Sequence, residues 1–234
     1  MERLHGPLVT SILSLIVISF MVFSCESKPK LKPKKTTKIE IPPFEFNADS
    51  AYSYIEKQLS FGPRVPNTKS HKDCRDWLAY KFRAYGAKVQ LQNAEVLAYD
   101  GKVLNISNII ASYNLGAKKR IFLCAHWDTR PIADQDDENK NKAIPGANDG
   151  GSGVGVLLEI ARQLQKDSLS LGVDIILFDA EDYGAPRTSP KSGTAETWCL
   201  GSQYWSRHPH DPSYNPKYGI LLDMVGAKNA SFAM

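Results

Sequence analysis

Some stretches of the chain alternate apolar and polar residues or run almost wholly apolar. Others repeat apolar residues every three or four positions. The first pattern fits strands and the second fits helices. Asn47 or Asp49 can cap a helix over 50–59, which the glycine and two prolines of FGPRVPNT end. A second helix is expected over 70–85, with Cys74, Trp77, Leu78, Phe82 and Tyr85 along one face. Strands over 88–97 and 103–112 flank a Tyr-Asp-Gly turn. A third, over 120–125, is nearly all apolar, as a strand covered on both faces is. The glycine-rich turn after Pro145 opens a helix over 152–165, with Val154, Leu157, Leu158, Ala161 and Leu164 on one side, and a buried strand over 173–178 follows. The polar stretch 183–197 reads as a surface loop, WCLGSQYWSRH as a short helix, and 218–225 as one more buried strand. Strand, helix, strand in this order is a βαβ unit. The expected fold class is therefore α/β, a mostly parallel mixed central sheet flanked by helices.

Composition changes this picture at the N-terminus. The formal net charge is +4, yet residues 1–38 alone carry seven basic and two acidic side chains, leaving the remainder close to neutral. A basic groove for nucleic acid is not expected. Arg3 followed by an apolar run over 8–23 and the small Ser24 before Cys25 reads as an export signal of lipoprotein type over 1–25, with Cys25 as the lipid-attachment residue; plain secretion and an uncleaved anchor are the alternatives. The Lys/Pro-rich segment 26–43 reads as an extended tether, and 44–234 as the folded domain. The chain is expected to be exported and held on the bacterial cell envelope, touching membrane through the lipid alone, as a monomer. Cys74, Cys124 and Cys199 lack zinc-clamp spacing. An exported compartment permits one disulfide among them without choosing the pair, and Cys124 inside IFLCAH is expected to be a buried free thiol.

The chemistry concentrates at strand ends. Alternation puts His126 and Asp128 of HWD on one face, where they can address a common metal or each other. Asp149 in GANDGGSG precedes a helix N-terminus, which favours its ionised form; it is a metal ligand or a simple cap. Glu181 and Asp182 follow the apolar IILFD and point different ways, so one can bind a metal while the other moves a proton. Asp223 in LLDMVG is read as an acid on a buried strand and needs a partner or a task. DQDDEN lacks the glycine and terminal glutamate of a calcium loop and reads as solvated.

HWD, GANDGGSG, DAEDYG and LLDMVGA, in this order, resemble the zinc-dependent M28 metallopeptidase superfamily, and within it the glutaminyl cyclase (glutaminyl-peptide cyclotransferase) branch. The resemblance implies the zinc aminopeptidase/phosphorylase-like sandwich, zinc as cofactor, peptide or protein N-termini as substrates, and conversion of N-terminal glutamine to pyroglutamate with release of ammonia. It implies Asp149 and Asp182 as zinc ligands, Glu181 as the acid/base, and Asp223 as the acid ordering substrate and proton path. His126 and Asp128 match a pair that lies beside the single zinc of the cyclases or serves the second metal of two-zinc aminopeptidases. The alternatives to a cyclase are such an aminopeptidase and a non-catalytic anchored binding module. Asp182 stands where many relatives carry glutamate. Relatives also continue past residue 234 with a histidine ligand, so the chain is expected to be the N-terminal portion of such a domain and inactive as written. His208 and His210 are not expected to replace that ligand. With two carboxylates and no histidine, its zinc affinity is expected to be poor.

Overall fold

Burial is continuous along the central strands, as in a sheet clothed on both sides, and alternates toward one edge. The computed structural model describes residues 45–165 and 170–232; the expected leader with Cys25 and the tether lie outside them. The elements are α1 (Ala48–Leu59), α2 (Lys69–Ala84), β1 (Lys88–Leu97), β2 (Val103–Tyr113), β3 (Arg120–His126), α3 (Gly151–Leu164), β4 (Gly172–Phe178), α4 (Leu200–Arg207) and β5 (Gly219–Leu221), with a short 3-10 turn at Ala195–Thr197.

The sheet order is β1-β2-β4-β3-β5. β2 pairs antiparallel with β1 and β4, whereas β3 pairs parallel with β4 and β5. Four strands thus run one way and β2 alone opposes them, which is the α/β mixed sheet expected. β3, α3 and β4 form the βαβ crossover. Ile109, Ala111, Ala125, Ile175 and Leu177 point into a core beneath α1, α2 and α3. Their alternates Ile110, Cys124, Ile176 and Phe178 face Phe122 and Trp205 of α4 on the other side.

Helix ends obey local chemistry. Asn47, one of the two caps expected, accepts the Ser50 N–H at 2.8 Å. Cys74, Leu78 and Phe82 are fully buried along one stripe of α2. Each such leucine or phenylalanine contributes about 1.5–3 kcal/mol by leaving water. Glu159 of α3 accepts the Asn47 N–H at 3.0 Å and two hydrogen bonds from Arg162, both 2.7 Å. Burial opposes its charge, but Arg162, Gln163 and the Asn47 N–H prevail and hold its pKa down to about 2. A depressed carboxylate stabilises the fold above its unfolded value and loses that contribution as pH falls through the folded one. Glu159→Gln is therefore expected to cost on the order of 2 kcal/mol at neutral pH, a cost that shrinks toward zero as pH falls through about 2, read from urea unfolding across that range.

One expectation changes and one open possibility closes. The segment 218–225 is not a buried strand: β5 covers only Gly219–Leu221 and is exposed throughout. It lies at the sheet edge and pairs on one side, with β3, so neither its outer edge nor its faces are covered among the described residues. Asp223 consequently sits past the strand end, and its side chain is 45% exposed. The possible disulfide is also absent, because Cys74, Cys124 and Cys199 are all free thiols. Among the described residues no helix is long and apolar enough to cross a membrane.

Candidate metal centre

Parallel strands present their carboxyl ends at one edge, and the loops leaving those ends form a crevice. Here β3 ends in His126, with Asp128 just beyond. β4 leads into Glu181 and Asp182, β5 into Asp223, and Asp149 lies in the turn before α3. All six predicted site residues therefore gather at one edge. Asp149, Glu181, Asp182 and Asp223 line a single cavity of about 920 Å³, with Arg130 and Trp198 on its wall.

Asp128 is the organiser of this edge. It is fully buried and accepts the Glu181 N–H at 3.0 Å and the Asp182 N–H at 3.1 Å. Its carboxylate also stands 3.4 Å from His126 Nδ1, an ion-pair contact too long for a good hydrogen bond. The opposite ring nitrogen, Nε2, lies 2.8 Å from Asp149 Oδ1 and 3.6 Å from Asp223 Oδ1. Gly150 permits this approach: its φ is +76°, and a Cβ there would lie 2.7 Å from the Asp128 carbonyl and 3.2 Å from the His126 ring.

The turn bearing Glu181 is bolted to α4. The N–H groups of Cys199, Leu200 and Gly201 donate to the carbonyls of Glu181, Ala180 and Asp179 at 2.9, 3.0 and 3.0 Å. Ala180 and Cys199 hold positive φ angles of 48° and 55° across this junction. Such strain in non-glycine residues persists where surrounding contacts fix the chain. The Cys199 thiol donates to Glu181 Oε1 at 3.1 Å. Burial pushes that thiol pKa up to about 12, so it stays a donor and not a nucleophile.

Charge is crowded here. Burial pushes the Asp182 pKa up to about 8, with Asp149, Asp128 and Glu181 adding repulsion. Burial likewise raises Glu181, against the pull of His126 and Cys199. His126 holds Asp223 below the usual carboxylate range. Burial would lower His126, yet Asp128, Asp149 and Asp223 outweigh it and drive its pKa up. A pocket whose acids repel one another until one is held protonated fits a cation. The donor atoms fit as well: His126, Asp149 and Asp223 each offer one, all within 4.8 Å of one another, and imidazole nitrogen and carboxylate oxygen are both zinc ligands. Asp182 shares the cavity but stands outside this trio. His126 is the nitrogen donor of the three. His208 and His210 remain apart from the acids; His210 packs on Trp205 and Tyr214.

Several participants were not legible beforehand. Arg130 stacks over Trp198 at 4.7 Å and donates to Asp134 at 2.8 Å and to the Asp182 carbonyl at 3.1 Å, fixing the cavity wall. Asp179 pairs with His71 at 2.8 Å and accepts the Ser107 N–H at 2.6 Å beneath the Glu181 turn. Arg64 lies under the two loops that carry Asp128 and Asp149. The available signals were an acid ending the apolar run IILFD and an arginine inside a Gly/Pro-rich break, but their partners lie far away in sequence.

Residues 108–234, more than half of the chain, match the model of peptidase family M28. The crystal structure of Bacteroides thetaiotaomicron glutaminyl cyclase is similar at 57% identity and a TM-score of 0.78, covering 80% of this chain and 64% of that one. A probable zinc metalloprotease of Pyrenophora tritici-repentis is 31% identical over 200 residues, which is 78% of this chain and 38% of the relative. The glutaminyl-peptide cyclotransferase of Bos taurus is 30% identical over 145 residues, 55% of this chain and 38% of the relative. The chain thus spans under two-fifths of these two curated relatives and just under two-thirds of the solved structure.

Proposed function

The chain belongs to peptidase family M28, and on that premise we propose that it serves a zinc-dependent glutaminyl-peptide cyclotransferase, converting the N-terminal glutamine of peptides or proteins to pyroglutamate and ammonia. One observation carries the reading. Glu181, which accepts a hydrogen bond from the thiol of Cys199, faces the same cavity as Asp149 and Asp182 with its pKa raised by burial. A carboxylate of raised basicity beside a cation site is what a proton-transfer step needs. The likeness to a protein named as a glutaminyl cyclase favours this substrate over others.

In this reading Asp149 and Asp182 hold the zinc, which when bound would polarise the γ-carbonyl of the substrate and offset charge on its oxygen. Glu181 accepts a proton from the substrate α-amine as that nitrogen bonds to the γ-carbonyl carbon. The same carboxyl delivers the proton to the amide nitrogen as the C–N bond breaks and ammonia leaves. Asp128 fixes Glu181 and Asp182 through their backbone N–H groups, and His126 orients Asp149 and Asp223. Trp198 supplies an apolar wall that limits water. Since the nucleophile belongs to the substrate, holding it in place is the chain's main contribution. Export, lipid attachment at Cys25, a cell-envelope location and a monomeric state belong to the same proposal.

The trio His126, Asp149 and Asp223 supports a second reading, a two-metal aminopeptidase in which these residues hold the second ion. Assaying Gln-initiated and Leu-initiated dipeptides with the protein carrying this domain separates them. Ammonia release from the first with no cleavage of the second is expected; cleavage of the Leu peptide without cyclisation would reverse the order of the two readings.

A further inference from the structure

Among the described residues Arg64 is a buried cation with no direct ion pair. Its side chain is fully enclosed, where arginine is almost always paired with an acid. Its fork instead donates to three backbone carbonyls: Nε to Trp127 at 2.9 Å, Nη1 to Pro145 at 2.9 Å and Nη2 to Gly146 at 2.7 Å. The carbonyl of Arg64 in turn accepts the Thr129 N–H at 3.2 Å. One residue therefore grips both the His126–Asp128 segment and the turn that leads to Asp149. Gly146 completes the fit: its φ is +70°, and a Cβ would lie 2.9 Å from Arg64 Nη2 and 2.2 Å from the Thr129 methyl. The Gly146 carbonyl also accepts the Gly151 N–H at 3.2 Å, joining the grip to the first turn of α3. Other ties between the two segments are sparse, chiefly Ile144 N–H to the Arg130 carbonyl at 3.0 Å and His126 to Asp149.

We infer that Arg64 is a positioning residue for the metal centre, a planar clamp that sets the spacing between the loop of His126 and Asp128 and the loop of Asp149. This rests on the reading of Asp149 as a metal ligand. The clamp needs the guanidinium and not merely a positive charge. Three carbonyls in two directions match a rigid fork of N–H donors, whereas a lysine ammonium is a single point on a flexible stem. The clamp acts before metal arrives, since none of its contacts involves a ligand atom.

Hydrogen exchange of the full chain without added metal tests the clamp. In Arg64→Lys and Arg64→Ala, exchange across 127–130 and 145–151 is expected to rise ~100-fold or more, because charge-assisted bonds to buried carbonyls are lost. β2 and β4 are expected to keep their protection. Millimolar guanidinium is expected to restore both segments in Arg64→Ala, and Leu78→Ala, a core change elsewhere, to raise exchange without singling them out. Unchanged protection in Arg64→Lys, or loss that merely follows β2 and β4, would overturn the inference. Where Arg64→Ala does not fold, Arg64→Lys carries the decision. Zinc titration of the protein carrying this domain separates the underlying reading: failure to bind removes Asp149 as a ligand, while the exchange result still decides the clamp.

Discussion

Glu181→Gln is expected to lower turnover of a Gln-initiated peptide by about 100- to 10,000-fold while leaving zinc content unchanged, as loss of a general acid/base does. The substitution preserves shape and still offers an oxygen to the Cys199 thiol, 3.1 Å away in the native chain. The backbone N–H to Asp128 and the carbonyl that receives Cys199 are untouched. What disappears is the ability to take a proton from the α-amine and return it to the leaving nitrogen. Ammonia release and zinc per chain, measured together in the protein carrying this domain, give the answer. Undiminished turnover would place the proton path elsewhere, and lost zinc would mean that Glu181 is itself a ligand.

Asp128→Ala is expected to destabilise the chain by about 3–5 kcal/mol, the range for breaking a buried charged pair by removing one partner. Asp128 is fully buried, and its two oxygens serve the N–H groups of Glu181 and Asp182 as well as the imidazole of His126. Alanine leaves two backbone donors without their acceptor in a dry setting and removes the buried carboxylate that faces the His126 ring. Asp128→Asn retains one acceptor oxygen and is expected to cost less. Denaturant unfolding of the three proteins supplies the comparison; a loss under about 1 kcal/mol for alanine would mean that water replaces the carboxylate. The organising role assigned to Asp128 would then fail.

Much of this fold can be read along the chain, because period and burial coincide. β1 occupies the 88–97 expected, and β2, β3 and β4 each differ by one residue at one end. The site residues could be found because each follows an apolar run or, for Asp149, sits in a glycine-rich turn before a helix, positions that packing alone does not favour for an acid. What could not be read depends on contacts between distant segments. Asp179 looks like any strand-end acid until His71 of α2 is brought to 2.8 Å. Arg64 looks like a loop arginine until three carbonyls from 63 to 82 residues away close on its fork. The exposure of Asp223 also escaped, since LLD reads as buried whether the strand is central or at an edge. The grouping of His126 with Asp149 and Asp223 depends on where α3 begins relative to β5, which no local pattern encodes.

The position of a cation among these acids decides the chemistry. Anomalous diffraction at the zinc edge, from crystals of the protein carrying this domain grown with zinc, locates it directly. The cyclase reading predicts a single peak bonded to Asp149 and Asp182, with the Glu181 carboxyl beside it and His126 unligated. A peak bonded to His126 and Asp223, or no peak in the cavity, would contradict it.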